Sequence, residues 1–181
     1  EIELQPNVAI NHKRLGDSLS ELGNYEEALA SFQRAAEIDP TMAGAHANAG
    51  GALFSLHRFE EAIITCRRAI ELDPKLGRPH GNLGAALGGQ NKFAEAILSL
   101  ERAIELNPND AMAYNNLAAV YMGLGKTEEA LQALKRAIEL DPNEVLAHIN
   151  LGKPTSPRKG STRQPPCSGG QWSSPRTMRT L

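Results

Sequence analysis

An all-α solenoid is the fold class this sequence predicts, and three observations carry it. Prolines stand at one fixed interval of 34 residues, Pro40, Pro74, Pro108 and Pro142, each closing nearly the same phrase: Glu-Ile-Asp-Pro, Glu-Leu-Asp-Pro, Glu-Leu-Asn-Pro and Glu-Leu-Asp-Pro. Small and apolar residues keep the same interval. Ala28, Ala62, Ala96 and Ala130 form one column, Ala35, Ala69, Ala103 and Ala137 a second, and Phe32, Cys66, Leu100 and Leu134 a third. Gly16, Gly50 and Gly84 align with Ala118, and Leu15, Leu83 and Leu117 align with Ala49. Within one interval the apolar residues recur at helical spacing, as in Ala28, Leu29, Phe32, Ala35, Ala36 and Ile38. A fixed repeat of this size means stacked units, each burying its apolar face only against its neighbours. Function is then expected on a repeated surface rather than in one pocket.

The elements follow in chain order. Residues 2–6, Ile-Glu-Leu-Gln-Pro, match Ile104 to Pro108, so residues 1–8 read as the end of a preceding repeat. The solenoid itself spans 9–152. Its units are 9–42, 43–76, 77–110 and 111–144, with a fifth starting at Val145 and staying in register to Gly152. First helices are predicted near 9–22, 43–56, 77–89 and 111–124, and second helices near 25–38, 59–72, 93–106 and 127–140. Gly23-Asn24 and Gly125-Lys126 break the chain between the two helices of a unit. The Asp-Pro and Asn-Pro steps end each second helix, because the proline ring disfavours helical backbone in the residue before it.

Residues 153–181 depart from the pattern. They hold six Lys or Arg and no Asp or Glu, against 13 basic and 21 acidic residues in 1–152. One reading is a disordered basic tail. The other is a fifth repeat in a shifted reading frame, and the genetic code favours it. Read one base upstream, Gln164 and Gln171 become small residues, Ser168 can become Phe or Leu, and Trp172 becomes Val or Met. Ser173, Ser174, Arg176 and Thr155 can become Glu, Leu, Pro and Tyr, each in register with the repeat.

The columns resemble those of the tetratricopeptide repeat, a helix-turn-helix unit. The resemblance rests on Leu-Gly, then Leu19, Leu53, Leu87 or Tyr121, then the aromatic Tyr25, Phe59 or Phe93 opening the second helix, followed by the Ala, Phe or Leu, Ala and Pro columns above. Four full units match across 9–142; the departures are Thr127 for the aromatic and Ala49 for leucine. The resemblance implies a right-handed α-solenoid of about four full repeats, with partial ones at both ends and first helices lining a concave groove.

Composition narrows the function. The formal net charge is −2, which argues against bulk nucleic-acid binding by the repeats. Two cysteines give no disulfide framework or zinc cluster, and a reducing, cytoplasmic setting is the expectation. No apolar run is long enough for a membrane helix. His12, His46, His80 and His148 repeat at the same interval with Tyr114 in their column, but units a helix pair apart cannot share one metal ion, so inter-helix packing is expected. Glu26-Glu27, Glu60-Glu61 and Glu128-Glu129 open second helices, where the helix dipole favours negative charge, and Arg34, Arg67-Arg68, Arg102 and Lys135-Arg136 follow further on. These read as a solvated outer face. The run Gly84 to Gly89 lies inside a predicted helix with no preceding strand, so it is not a phosphate loop. No nucleophile–base set appears, and neither catalysis nor a cofactor or metal is expected.

The column Asn48, Asn82, Asn116 and Asn150 stands apart. Asn is only a middling helix former, so propensity does not explain it. Its amide both donates and accepts, which suits either a peptide backbone or a neighbouring helix. The resemblance supplies two precedents, an Asn ladder in O-linked N-acetylglucosamine transferases and a carboxylate clamp in heat-shock-chaperone adaptors. The clamp columns here read Lys13, Asp17, Asn48, Arg78 and Asn82. Asp17 would repel a terminal carboxylate and Asn82 replaces a cation, so a working clamp is not expected. The candidate groove residues are Lys13, Asp17, Asn48, Gly51, Arg78, Asn82, Ala85, Asn115, Asn116, Ala119, Met122 and Asn150. The predicted role is a non-catalytic scaffold holding a peptide or protein segment in the groove. The alternative is the substrate-presenting repeat domain of a larger enzyme, such as a glycosyltransferase resembling the O-linked N-acetylglucosamine transferases. A small-molecule substrate, nucleic acid and a membrane are not expected partners.

Overall fold

The computed structural model describes residues 6–142, which form eight helices and no strand. They are α1 (Pro6–Glu21), α2 (Tyr25–Ile38), α3 (Ala43–Ser55), α4 (Phe59–Leu72), α5 (Gly77–Gly89), α6 (Phe93–Leu106), α7 (Ala111–Gly123) and α8 (Thr127–Leu140). The expected helices lie within a residue of these bounds except at the first. There the helix begins at Pro6 rather than near residue 9. Proline suits a helix start, since it has no N–H to leave unsatisfied. Expectations for 145–152 and for the 153–181 segment lie outside the described residues.

Local chemistry repeats with the period. Each second helix ends on an extended residue, Asp39, Asp73, Asn107 or Asp141. In three of these, the side chain accepts from the backbone N–H two residues on: Asp39 from Thr41 at 3.0 Å, Asp73 from Lys75 at 3.0 Å and Asn107 from Asn109 at 3.2 Å. This turn is why the column carries Asp or Asn before proline. Inside each unit, the turn between helices places Gly23, His57, Asn91 and Gly125 in left-handed backbone.

Each first helix packs on the second helix of its own unit, α3, α5 and α7 pack also on that of the unit before, and successive first helices touch one another: α1 with α3, α3 with α5, α5 with α7. Successive second helices stand further apart and are spanned at α4 and α6 by the ion pair Arg67–Glu95, 3.7 Å long. A stack bends toward the side where its helices are closer, so the first helices form the inner wall of an α-solenoid. The core lies between the two rows. Ala28, Ala62, Ala96, Ala130, Ala35, Ala69, Ala103 and Ala137 are all buried, with Phe32, Cys66, Leu100 and Leu134 filling the space between them. Gly84 lets α5 and α6 meet: a Cβ there would stand 2.5 Å from Leu100 Cγ and 3.0 Å from the Ala96 carbonyl oxygen. Leu15 breaks the pattern of its column. Ala49, Leu83 and Leu117 are buried, but Leu15 is half exposed because no helix covers that side of α1 among the described residues.

Candidate functional site

From α3 onward the inner wall is nearly without charge, whereas α1 carries Lys13, Arg14, Asp17 and Glu21. Among α3, α5 and α7 the one Asp, Glu, Lys or Arg is Arg78. The charges sit on the second helices, paired along the surface as Arg34–Glu37, Arg68–Glu71, Arg102–Glu105 and Arg136–Glu139. Arg58–Glu61 is a further exposed pair, whose hydrogen bond raises the Arg58 pKa and lowers that of Glu61. Such pairs stabilise little in water and mark solvated surface.

Four of the expected groove residues form one relay across three helices. Lys13 donates to Asp17 Oδ2 at 2.7 Å within α1. Asn48 on α3 donates through Nδ2 to the other oxygen of Asp17, and Arg78 on α5 donates to Asn48 Oδ1 at 3.2 Å. Both the nitrogen and the oxygen of the Asn48 amide are therefore engaged inside the molecule. Asp17, expected to repel a ligand carboxylate, has Lys13 as its counter-ion.

The rest of the Asn column is not uniform. Asn82 donates through Nδ2 to the main-chain oxygen of Ala47 at 2.9 Å, bracing α5 to α3. Gly51 makes room for it, since a Cβ there would stand 3.0 Å from that nitrogen. Asn116 is half-buried, and Asn115, one residue earlier, is buried. Ala85 is buried, Ala119 is exposed and Met122 is half-buried. The structure links Lys13, Asp17, Asn48 and Arg78, and separately Gly51 and Asn82; no hydrogen bond joins Asn116, Ala119 or Met122 to either group. Asn150 lies outside the described residues. Sequence reasoning passed over Ile10 and Met112, exposed apolar residues at the starts of α1 and α7. Both stand in the column of Arg78, so the period itself was the signal that could have found them.

In the histidine column Tyr114 packs against Ala133, Leu134 and Ala137 of α8, and two of the histidines also make hydrogen bonds. His46 and His80 meet the carbonyl oxygens of Pro40 and Pro74 through Nε2, at 3.2 and 3.4 Å, tying each first helix to the turn before it. Among the described residues no group of His, Cys, Asp and Glu could hold a metal ion, and no helix is long and apolar enough to cross a membrane. Cys66 is buried beneath Gly50, and burial pushes its thiol up to about 12, which keeps it protonated and unreactive at neutral pH.

Solved structures with this arrangement are numerous. The chain superposes on a thermophilic tetratricopeptide-repeat protein of Thermus thermophilus with a TM-score of 0.72, at 22% identity over 80% of this chain and 83% of that one. A structure from a functional characterisation of Pseudomonas aeruginosa pilF gives 0.68 at 25% identity, covering 80% of this chain and 66% of that one. The first repeat domain of Spaghetti (RPAP3), bound to the HSP90 peptide SRMEEVD, gives 0.62 at 28% identity over 68% and 98% of the two chains. Among curated proteins none matches the chain in sequence. The family profile described as tetratricopeptide repeat matches residues 13–76 and 82–145, most of the chain. The chain belongs to the tetratricopeptide-repeat family of helical protein-interaction scaffolds.

Proposed function

We propose that this protein holds an extended, largely uncharged peptide or protein segment along the inner wall of its helix stack, without catalysing a reaction on it. The carrying observation is the make-up of that wall beyond α1: α3, α5 and α7 bear a single charged side chain, Arg78, while the second helices bear most of the charge. Gly51, Ala85 and Ala119 stand at the same step of the three helices and keep long side chains off the floor. Asn116 has no hydrogen-bond partner among the described residues, and Asn82 keeps its Oδ1 after giving Nδ2 to Ala47. Both can serve a peptide backbone, which presents N–H and C=O in alternation. Asn115 and Met122 flank Asn116 on the same helix, and Asn150 continues its column. A fold neighbour holds the acidic peptide SRMEEVD. In this chain the Lys13 and Asn48 donors are already engaged by Asp17, which supports a neutral ligand instead.

The test is an array of short peptides probed with the full chain, followed by titration of the strongest binder. Asn116→Ala should weaken that binder by roughly threefold to tenfold, the worth of one or two hydrogen bonds. An array that retains no peptide, or an Asn116→Ala protein that binds as the parent does, overturns the reading.

A further inference from the structure

The charged outer row of second helices carries two strongly exposed aliphatic side chains. Ile64 on α4 is 69% exposed and Leu98 on α6 is 68% exposed, and they stand at the same step of successive units. The other copies of this step are Ala30 on α2 and Gln132 on α8. Helix formation does not ask for Ile64, because a β-branched residue is a poorer helix former than Ala or Gln. Nor does packing, for both side chains lie outside the core. Ile64 stands one turn before Arg67, and Leu98 one turn after Glu95, each on the same face of its helix as that charge. Arg67 and Glu95 meet at 3.7 Å across the gap between α4 and α6. Each apolar side chain therefore borders the same ion pair. The charge left around them is one-sided. Arg67, Arg68 and Arg102 are held by Glu95, Glu71 and Glu105. Glu60, one turn before Ile64, and Glu101, one turn after Leu98, are exposed and form no ion pair among the described residues.

We infer that Ile64 and Leu98 form the centre of a docking surface for a basic amphipathic helix of a partner protein, laid across α4 and α6 on the outer face of the stack. Its apolar stripe covers the two aliphatic side chains, and its Lys or Arg residues meet Glu60 and Glu101, the carboxylates that the chain itself leaves unpaired. Helices in one layer stand about 10 Å apart, and seven residues of helix span about the same length, so apolar residues at i and i+7 of the partner reach both. A helix suits this face better than an extended segment. The backbone groups of α4 and α6 are taken up within those helices, so an extended chain laid there finds no partner for its own N–H and C=O. A second copy of this chain is a poor occupant, because its matching face would bring carboxylates against Glu60 and Glu101. The surface belongs to the second helices and the inner wall to the first, so this partner does not compete with a segment held along the wall.

Two synthetic helical peptides of about 18 residues test it. Both carry a Leu stripe at i, i+3 and i+7; one has Lys at the flanking positions and the other Glu. Binding to the full chain is followed by fluorescence anisotropy. The Lys peptide should bind saturably, and the Glu peptide roughly tenfold more weakly or worse. Ile64→Gln together with Leu98→Gln places the α8 residue of this step on both helices. This variant should bind the Lys peptide roughly tenfold more weakly, with helicity unchanged and Tm within about 2 °C of the parent, since both positions are exposed. Glu60→Lys together with Glu101→Lys should reverse the preference between the two peptides. The inference is overturned by a Lys peptide that does not bind, by one that binds the Gln variant as it binds the parent, or by a preference that the charge reversals leave in place. Light scattering on the parent completes the test: self-association lost in the Gln variant would make a second copy the occupant, which also overturns it.

Discussion

The side-chain amide of Asn82 on α5 donates to the main-chain carbonyl of Ala47 on α3 at 2.9 Å, so a side chain of one repeat ties down the backbone of the repeat before it. Asn116, one period later, has no such bond among the described residues. Asn82→Ala should therefore destabilise the protein by about 0.5–1.5 kcal/mol, since it removes one inter-repeat bond to a carbonyl that helix α3 otherwise keeps paired. Asn116→Ala should change stability by less than about 0.5 kcal/mol. Urea unfolding of the two variants decides it; equal losses would mean that Asn116 is braced as well.

Two alanine substitutions in α5 should have opposite signs. A Cβ at Gly81 would meet the Ala103 Cβ at 3.8 Å, an ordinary contact, so Gly81→Ala should gain about 0.5–1 kcal/mol from helix propensity. A Cβ at Gly84 would stand 2.5 Å from Leu100 Cγ and 3.0 Å from the Ala96 oxygen, and the backbone cannot easily yield. Gly84→Ala should lose about 1–3 kcal/mol through overpacking. If both variants unfold at the same denaturant concentration, the close approach of α5 and α6 is wrong.

His57 has a φ of 58° and Asn91 a φ of 61°, at the turn position where the outer units use Gly23 and Gly125. Left-handed backbone suits glycine, is tolerated by Asn and disfavours His. His57→Gly should raise stability by about 0.5–1 kcal/mol, somewhat offset by loss of the edge contact between His57 and Phe59, whose ring centres are 5.7 Å apart. Asn91→Gly should gain less. A calorimetric Tm for His57→Gly at or below the parent's would show that the ring contact outweighs the backbone strain.

Stability should fall as the solution is acidified through the histidine range. Burial holds the His80 pKa below its ordinary 6.5; the nearby Arg102 charge adds to this, and the bond to the Pro74 carbonyl opposes it. The unfolded chain then binds the proton more readily than the folded one, so stability is greatest above the unfolded pKa and declines as pH drops below it. His80→Gln, which keeps an N–H donor for Pro74, should lessen the loss of Tm between about pH 7.5 and 5.5. An identical loss in parent and variant would assign the acid sensitivity elsewhere.

The sequence by itself determined the period, the helix type of every element and the core columns. Those are local properties: a proline ends a helix wherever it stands, and Ala28, Ala62, Ala96 and Ala130 fall on the same face of four similar helices, where all four are buried. Tertiary structure decided what each copy of a column touches. Leu15 and Leu83 occupy one column, yet only Leu83 has a preceding unit's second helix over it among the described residues. Asn48, Asn82 and Asn116 also share a column. One is bound between Asp17 and Arg78, one braces Ala47, and one has no partner among the described residues, because each depends on what the adjacent helices present to it. A repeat writes the same residue at the same step, but burial and hydrogen bonding are pair properties, and the neighbours in this chain are not the same from unit to unit.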